Sequence, residues 1–253
     1  MKSFLIRKEK MLSIIKTMSL HGLDGYLIEV QVDVSPGMPE WTIVGLPDTS
    51  VKEAKERVRT AIKNSGFKFQ SKKIIVNLAP ANTRKEGSLF DLPIAIGILA
   101  NFGEIVSQNL EDTVFVGELS LDGKINKAKG ILPMCIEAKK MGIKRIILPK
   151  ENAKEAAIVK ELEVIGVSTL DQLVDFLNGE ITIESTKTNV EEMWSKAQIY
   201  NVDFLEVKGQ ENVKRAIEVA SARWTRTAPY RKPGEWQNND GKKNTNNIAR
   251  PNI

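Results

Sequence analysis

The sequence predicts a layered α/β domain with a mixed sheet, and three features carry that expectation. Strand-like apolar runs exchange with helix-period segments between residues 25 and 179, the pattern of strands covered by helices. Asp122-Gly123, inside LSLDGKI, is a tight-hairpin signal, so at least one connection is antiparallel. With 253 residues, 42% of them hydrophobic and 27% charged, the chain can bury a real core, which excludes collagen-like, coiled-coil and wholly disordered classes.

Taken in order, GYLIEVQVDV (25–34) sets Val30, Val32 and Val34 against Glu29 and Gln31, a half-buried strand. WTIVGLP (41–47) is a short strand stopped by Gly45 and Pro47. A helix then starts at a Thr49 or Ser50 cap, places Val51, Ala54, Val58, Ala61 and Ile62 on one face, and stops at Gly66. IIVNLAP (74–80) reads as a strand buried on both faces, and FDLPIAIGILANFG (90–103) as a helix with Asp91 as an acidic cap and Pro93 in its first turn. TVFVGEL (113–119) is a strand running into the hairpin. A helix over 132–141, a strand RIILP (145–149), a short helix in ENAKEAAIV, a strand LEVIGV (162–167) and a helix in TLDQLVDFLNG (169–179) complete the order. Residues 180–201 are polar and read as a linker, and 209–222 as one more amphipathic helix.

Composition breaks at Arg223. The last 31 residues hold six asparagines, three prolines and no apolar periodicity, so they are expected to be disordered. Seven of the 37 basic and two of the 32 acidic residues lie there, which leaves the first 222 residues neutral at 30 against 30. The net charge of +5 therefore argues for no basic cleft in the body, and phosphate binding by the chain is expected to depend on the tail.

Metal and thiol chemistry have little to work with: a single histidine, His21, and a single cysteine, Cys135, cannot form a structural zinc site or an internal disulfide. No phosphate loop stands in frame, because Gly117 and Gly123 are separated by five residues where four are needed and Ile125 replaces the magnesium-binding hydroxyl. No apolar run is long enough for a membrane span, and the N-terminus has no signal-peptide pattern, so the chain reads as cytoplasmic. Lys52, Lys55, Arg57, Arg59 and Lys63 bias the first helix towards positive charge, with Glu53 and Glu56 interleaved. A solvated face is the ordinary reading, and a DNA or partner surface built on Lys52, Lys55, Arg59 and Lys63 is the functional one.

Two segments resemble the proteolytic domain of Lon. GELSLDGKINKAKGILPMCIEAKKMGIKRIILPKEN (117–152) is similar to Lon's strand, hairpin, helix and strand, and PANTRKEGSLFDLPIAIGIL (80–99) to the helix entry that carries its nucleophile. The resemblance implies a Lon-protease-domain-like layered fold. It places the serine nucleophile at Leu89 and the lysine base at Leu132, and two leucines can neither attack a carbonyl nor move a proton. A one-residue shift in alignment brings Ser88 towards the nucleophile position, with Lys129 three residues from the base position, and so leaves a small Ser-Lys peptidase as the alternative.

TIVGLPDTSVKEAKERVRTAIKNSGF and KKIIVNLAPANTRKEGSLFDLPIAIGIL resemble the N-terminal domain of the ComM/YifB family of magnesium-chelatase-like AAA+ ATPases. The likeness runs over about residues 11–222, and Met11 matches the usual family start. It implies residues 1–11 as an extension, 12–179 as the Lon-like domain, 180–222 as linker and start of the AAA+ module, and 223–253 as a tail outside the family pattern. In that family the domain precedes a motor that uses ATP and magnesium, assembles as a homo-oligomeric ring on DNA and drives branch migration in natural transformation.

For this chain the resemblance implies a non-catalytic accessory or assembly domain that needs no cofactor. A shifted reading frame accounts for the tail. Read from the second base of suitable synonymous codons, Arg223–Asp240 spells a complete G-x-x-x-x-G-K-T motif, and the single tryptophan codon forces glycine at Trp224 and Trp236.

Overall fold

The computed structural model describes residues 12–22, 24–106, 110, 112–188 and 209–222. Contacts divide the chain into two units, 1–188 and 189–253. The expectations for residues 1–11, for the linker beyond 188 and for the tail fall outside the described residues.

In the first unit the chain runs β1 (Leu12–His21), β2 (Asp24–Ser35), β3 (Glu40–Val44), α1 (Thr49–Asn64), β4 (Lys73–Ala79) and α2 (Asp91–Phe102). It continues with β5 (Thr113–Phe115), the hairpin of β6 (Glu118–Leu119) and β7 (Ile125–Asn126), α3 (Ile131–Lys140) and β8 (Arg145–Pro149). A 3-10 turn at Lys150–Asn152, α4 (Ala153–Ala156), β9 (Glu163–Val167) and α5 (Leu170–Asn178) follow. In the second unit α6 (Glu211–Ala222) is the described element.

Seven strands form one mixed sheet in the order β3-β4-β2-β1-β5-β8-β9, and β6-β7 is a separate antiparallel pair. β1 and β2 pair antiparallel from Leu12↔Asp33 to His21↔Asp24. β4 joins β2 antiparallel and β3 parallel, whereas β5, β8 and β9 extend the other side in parallel. The layered α/β expectation, with its mixed sheet and antiparallel hairpin, is therefore met.

Because side chains alternate faces along a strand, β2 feeds two cores. Ile28, Val30, Val32 and Val34 join the cluster beneath α1 and α2, while Leu27 packs against the second cluster, built on α3, β8 and Met18. α1 buries Val51, Ala54, Val58, Ala61 and Ile62, the five positions its sequence spacing selects. Each large aliphatic side chain buried there stabilises the fold by about 1.5–3 kcal/mol.

The structure corrects several expectations. α1 is capped by Asp48 and not by Thr49 or Ser50, because the Asp48 carboxylate accepts the Val51 N–H at 2.7 Å. β4 buries one face, not two: Ile74, Val76 and Leu78 are buried, whereas Ile75 and Asn77 are half-exposed, since α1 and α2 pack on one side only at this end of the sheet.

Asp91 is the first residue of α2, not its cap, and is turned to α1. The run 113–119 breaks at Val116-Gly117 into β5 and β6, where a Cβ at Gly117 would come within 2.8 Å of Ile125. β1 was not anticipated: LSIIKTMSLH is covered on both faces at Thr17, Met18 and Ser19, which hides any alternation.

Candidate functional site

The segment in which the resemblance places a protease nucleophile is a loop, residues 80–90, leading into α2. Its position is fixed from α1. The Asp48 carboxylate that caps α1 also accepts the Gly87 N–H at 3.2 Å, while Lys85 N–H donates to Leu46 O at 3.1 Å and Lys85 O accepts from Asp48 N–H at 2.9 Å. Lys85 itself is fully buried, its ammonium donating to the Pro80 carbonyl, and burial pushes its pKa below the usual lysine value.

At the end of this loop the hydroxyl of Ser88 donates to the Glu118 carboxylate on β6. The other Glu118 oxygen accepts from Asn126 Nδ2 at 3.3 Å, and Asn126 Oδ1 accepts from Ser120 at 2.8 Å. Lys129 is exposed, so the polar partner held against Ser88 is a carboxylate and not an amine. Leu89 packs against the second core cluster, and Leu132 is half-buried in the first turn of α3. Both are hydrocarbon, with nothing to polarise a carbonyl or accept a proton.

Next to Ser88 lies a buried ion pair. Asp91, fully buried, accepts Arg57 Nε at 2.8 Å and Nη2 at 3.0 Å, and the Leu119 N–H at 3.4 Å. Arg57 Nη2 also donates to Ser50 O at 3.0 Å. Burial pushes the Asp91 carboxyl up to about 6, more than the Arg57 bond and charge recover, while the hydrogen bond that Arg57 donates to Asp91 raises the pKa of Arg57. The pair is attractive, yet its carboxylate has lost more hydration than the attraction returns.

The candidate DNA or partner surface is the outer face of α1. Lys52, Arg59 and Lys63 are exposed and Lys55 is half-buried, with Glu53 and Glu56 exposed among them. Among the described residues none of these four cations makes an ion pair, and Arg59 lies over the Phe69 ring at 5.5 Å from its centroid. Arg57, counted with this face from sequence, is instead turned inward to Asp91.

Elsewhere, Cys135 is buried, its thiol pushed up to about 12 by burial, and His21 is exposed. Among the described residues no three or more His, Cys, Asp or Glu side chains are grouped to hold a metal ion. Glu118, Asn126, Lys85 and the Asp91 pairing were not anticipated, because Arg57 and Asp91 are 34 residues apart and no local spacing links them.

The model of subunit ChlI of Mg-chelatase matches residues 30–152, from within β2 through the 3-10 turn that follows β8. Competence protein ComM of Haemophilus influenzae is 39% identical over 212 residues, which is 83% of this chain and 42% of that protein. The chain belongs to the ComM/YifB family. YifB of Escherichia coli is 39% identical over 211 residues, 83% of this chain and 41% of its own length. Lon protease 2 of Bacillus subtilis is 27% identical over 187 residues, in keeping with the Lon-like strand and helix order. The chain spans about two fifths of the length of the ComM and YifB relatives that it matches.

As a ComM/YifB chain it is a member of an AAA+ family related to the magnesium chelatases. Among its described residues no helix is long and apolar enough to cross a membrane.

Proposed function

We propose that this chain is a non-catalytic accessory or assembly domain of a ComM/YifB-type AAA+ protein that processes DNA, with ATP and magnesium handled by the part of its relatives outside the stretch that it matches. The observation that supports the reading is the chemistry where the Lon resemblance places a nucleophile and a base. Hydrocarbon stands at Leu89 and Leu132, and the nearby Ser88 hydroxyl is engaged by Glu118 while Lys129 is exposed. Among the described residues no serine and lysine are brought together as a Lon dyad, and we read the domain as one that serves by binding. The name of the Haemophilus influenzae relative connects the family to competence, and DNA processing in the cytoplasm, through a homo-oligomer, is the role we assign by extension.

The test is addition of this chain to a ComM or YifB protein from which the matching domain has been deleted. Association on a sizing column, with a changed ATPase rate, is the expected result. A chain that neither associates nor changes that rate, and that turns over substrate on its own, overturns the reading.

A second reading has its own observation, the run of unpaired cations on α1. Lys52 to Lys63 span about 16 Å of helix at 1.5 Å per residue, enough to meet two or three phosphates of DNA. Each phosphate contact contributes about −0.9 to the log-log salt slope on duplex DNA. Residues 1–222 therefore bind DNA with a slope that falls on Lys52→Ala, Lys55→Ala, Arg59→Ala and Lys63→Ala substitution if this face is used. If DNA binding requires residues 223–253 and these substitutions leave it unchanged, the face is only solvated.

A further inference from the structure

α1, α2 and α5 cover one core cluster, and their outer side carries two surfaces of opposite charge that share a border. The basic one runs along α1 and the connection to β4. Lys52, Lys55, Arg59, Lys63, Lys68 and Lys72 are exposed or half-buried there, and among the described residues none of the six makes an ion pair. Glu53 and Glu56 are the carboxylates among them, and Glu53 lies 3.9 Å from Arg57. The centre of this surface is apolar: the Phe69 ring lies 5.5 Å from Arg59 and stacks on Trp41 at 5.7 Å.

The acidic surface is made by α5 and the segment after α2. Asn178 accepts the Val106 N–H at 3.0 Å and donates to Glu104 O at 2.9 Å, while Asp175 O accepts the N–H groups of Glu180 at 2.9 Å and Ile181 at 3.4 Å. These bonds gather Glu104, Asp175 and Glu180 around Val106, which is 76% exposed, and Ile181, with Asp171 one helical turn away. None of the four carboxylates has a cationic partner among the described residues, and no Lys, Arg or His occurs between Glu161 and Thr186. The border lies where Phe69 meets Phe102 edge-on at 5.6 Å, because Phe102 stands two residues before Glu104.

We propose that these two surfaces form one self-complementary docking site whose occupant is a second copy of this chain: a two-fold rotation sets the basic surface of each copy on the acidic surface of the other. The inference rests on the assembly reading above and locates the contact. Charge complementarity carries it. Neighbouring patches of opposite sign match themselves across a two-fold axis, since each copy supplies both halves, and within one copy they leave each other unpaired. A single exposed ion pair contributes little, but apolar centres at Phe69 and Val106 inside charged rims have the anatomy of an interface. DNA would match the basic surface alone and leave four carboxylates and Val106 uncovered.

The experiment is sedimentation velocity of the full chain in about 0.01 M and about 1 M salt, between which the Debye length falls from about 30 Å to about 3 Å. A dimer at low salt that dissociates at high salt is expected. Reversing one surface, with Lys55→Glu, Arg59→Glu and Lys63→Glu or with Asp171→Lys, Asp175→Lys and Glu180→Lys, weakens the dimer by about tenfold. The variant that carries both sets regains it. A wild-type chain that stays monomeric at low salt, or a dimer indifferent to salt, overturns the proposal, as does a combined variant that does not recover. If only the α5 set matters, the cationic tail is the partner of those carboxylates, and if the α1 set lowers DNA binding without touching self-association, that surface belongs to DNA; either result also overturns it. Should a reversed variant not fold, the salt response of the wild-type chain and the neutral substitutions Arg59→Gln and Asp175→Asn still decide. A chain without this dimer leaves the accessory reading standing, because that reading is tested by association with the domain-deleted relative.

Discussion

Asn152 ties two segments of the second core together. Its Oδ1 accepts the Ala128 N–H at 2.8 Å and its Nδ2 donates to Ala128 O at 2.9 Å, so a single buried amide satisfies both backbone groups of a residue 24 positions away. Asn152→Ala leaves a buried donor and a buried acceptor without partners, at about 1–3 kcal/mol for each group. A loss of about 2–6 kcal/mol in urea unfolding is expected, and a loss below 1 kcal/mol would show that water replaces the amide. Asp91 leads to the opposite expectation. Its raised pKa makes its charge a cost of up to about 3 kcal/mol at neutral pH. Asp91→Asn should therefore be no less stable than wild type at pH 7 and relatively less stable at pH 4, read as the difference between urea midpoints. None of this was legible from sequence: Asp91 reads there as a helix cap, and Asn152 only as part of a Leu-Pro-Lys-Glu-Asn run.

At the level of elements, legibility followed locality. α1 was readable because its five buried apolar residues recur at helical spacing, and β8 because a short apolar run closes on Pro149. The cap is ambiguous in sequence, since three consecutive hydroxyl or carboxylate side chains, Asp48, Thr49 and Ser50, all suit the position. What selects Asp48 is its second contact, with Gly87 across the loop. Asp48→Ala should cost about 1–2 kcal/mol, and faster amide exchange should appear in both the first turn of α1 and residues 85–88. Exchange confined to α1 would show that the link to the loop carries no energy. An apolar run such as β4 does not reveal how many of its faces are covered, and burial on both faces erases the alternation of β1.

The whole molecule was legible as a class and as a lineage before any coordinate. Strand and helix order fixed the α/β layering, and long motifs carried the ComM/YifB resemblance that 39% identity then bore out. The order of strands in the sheet, β3-β4-β2-β1-β5-β8-β9, was not readable. It depends on long-range pairing that local periodicity does not encode. Nor was the polar network of Ser88, Glu118 and Asn126, assembled from three separate segments.

At this scale the chain should not bind ATP, because no glycine-rich loop with lysine and threonine stands in frame. Isothermal calorimetry that returned saturable micromolar binding would contradict that. The central claim, that this is a Lon-like fold without its chemistry, is tested most directly by peptidase assay of the purified chain on unfolded casein. The account predicts no turnover above buffer, unchanged in Ser88→Ala and Lys129→Ala. Turnover in the wild-type chain that disappears in either variant would contradict it.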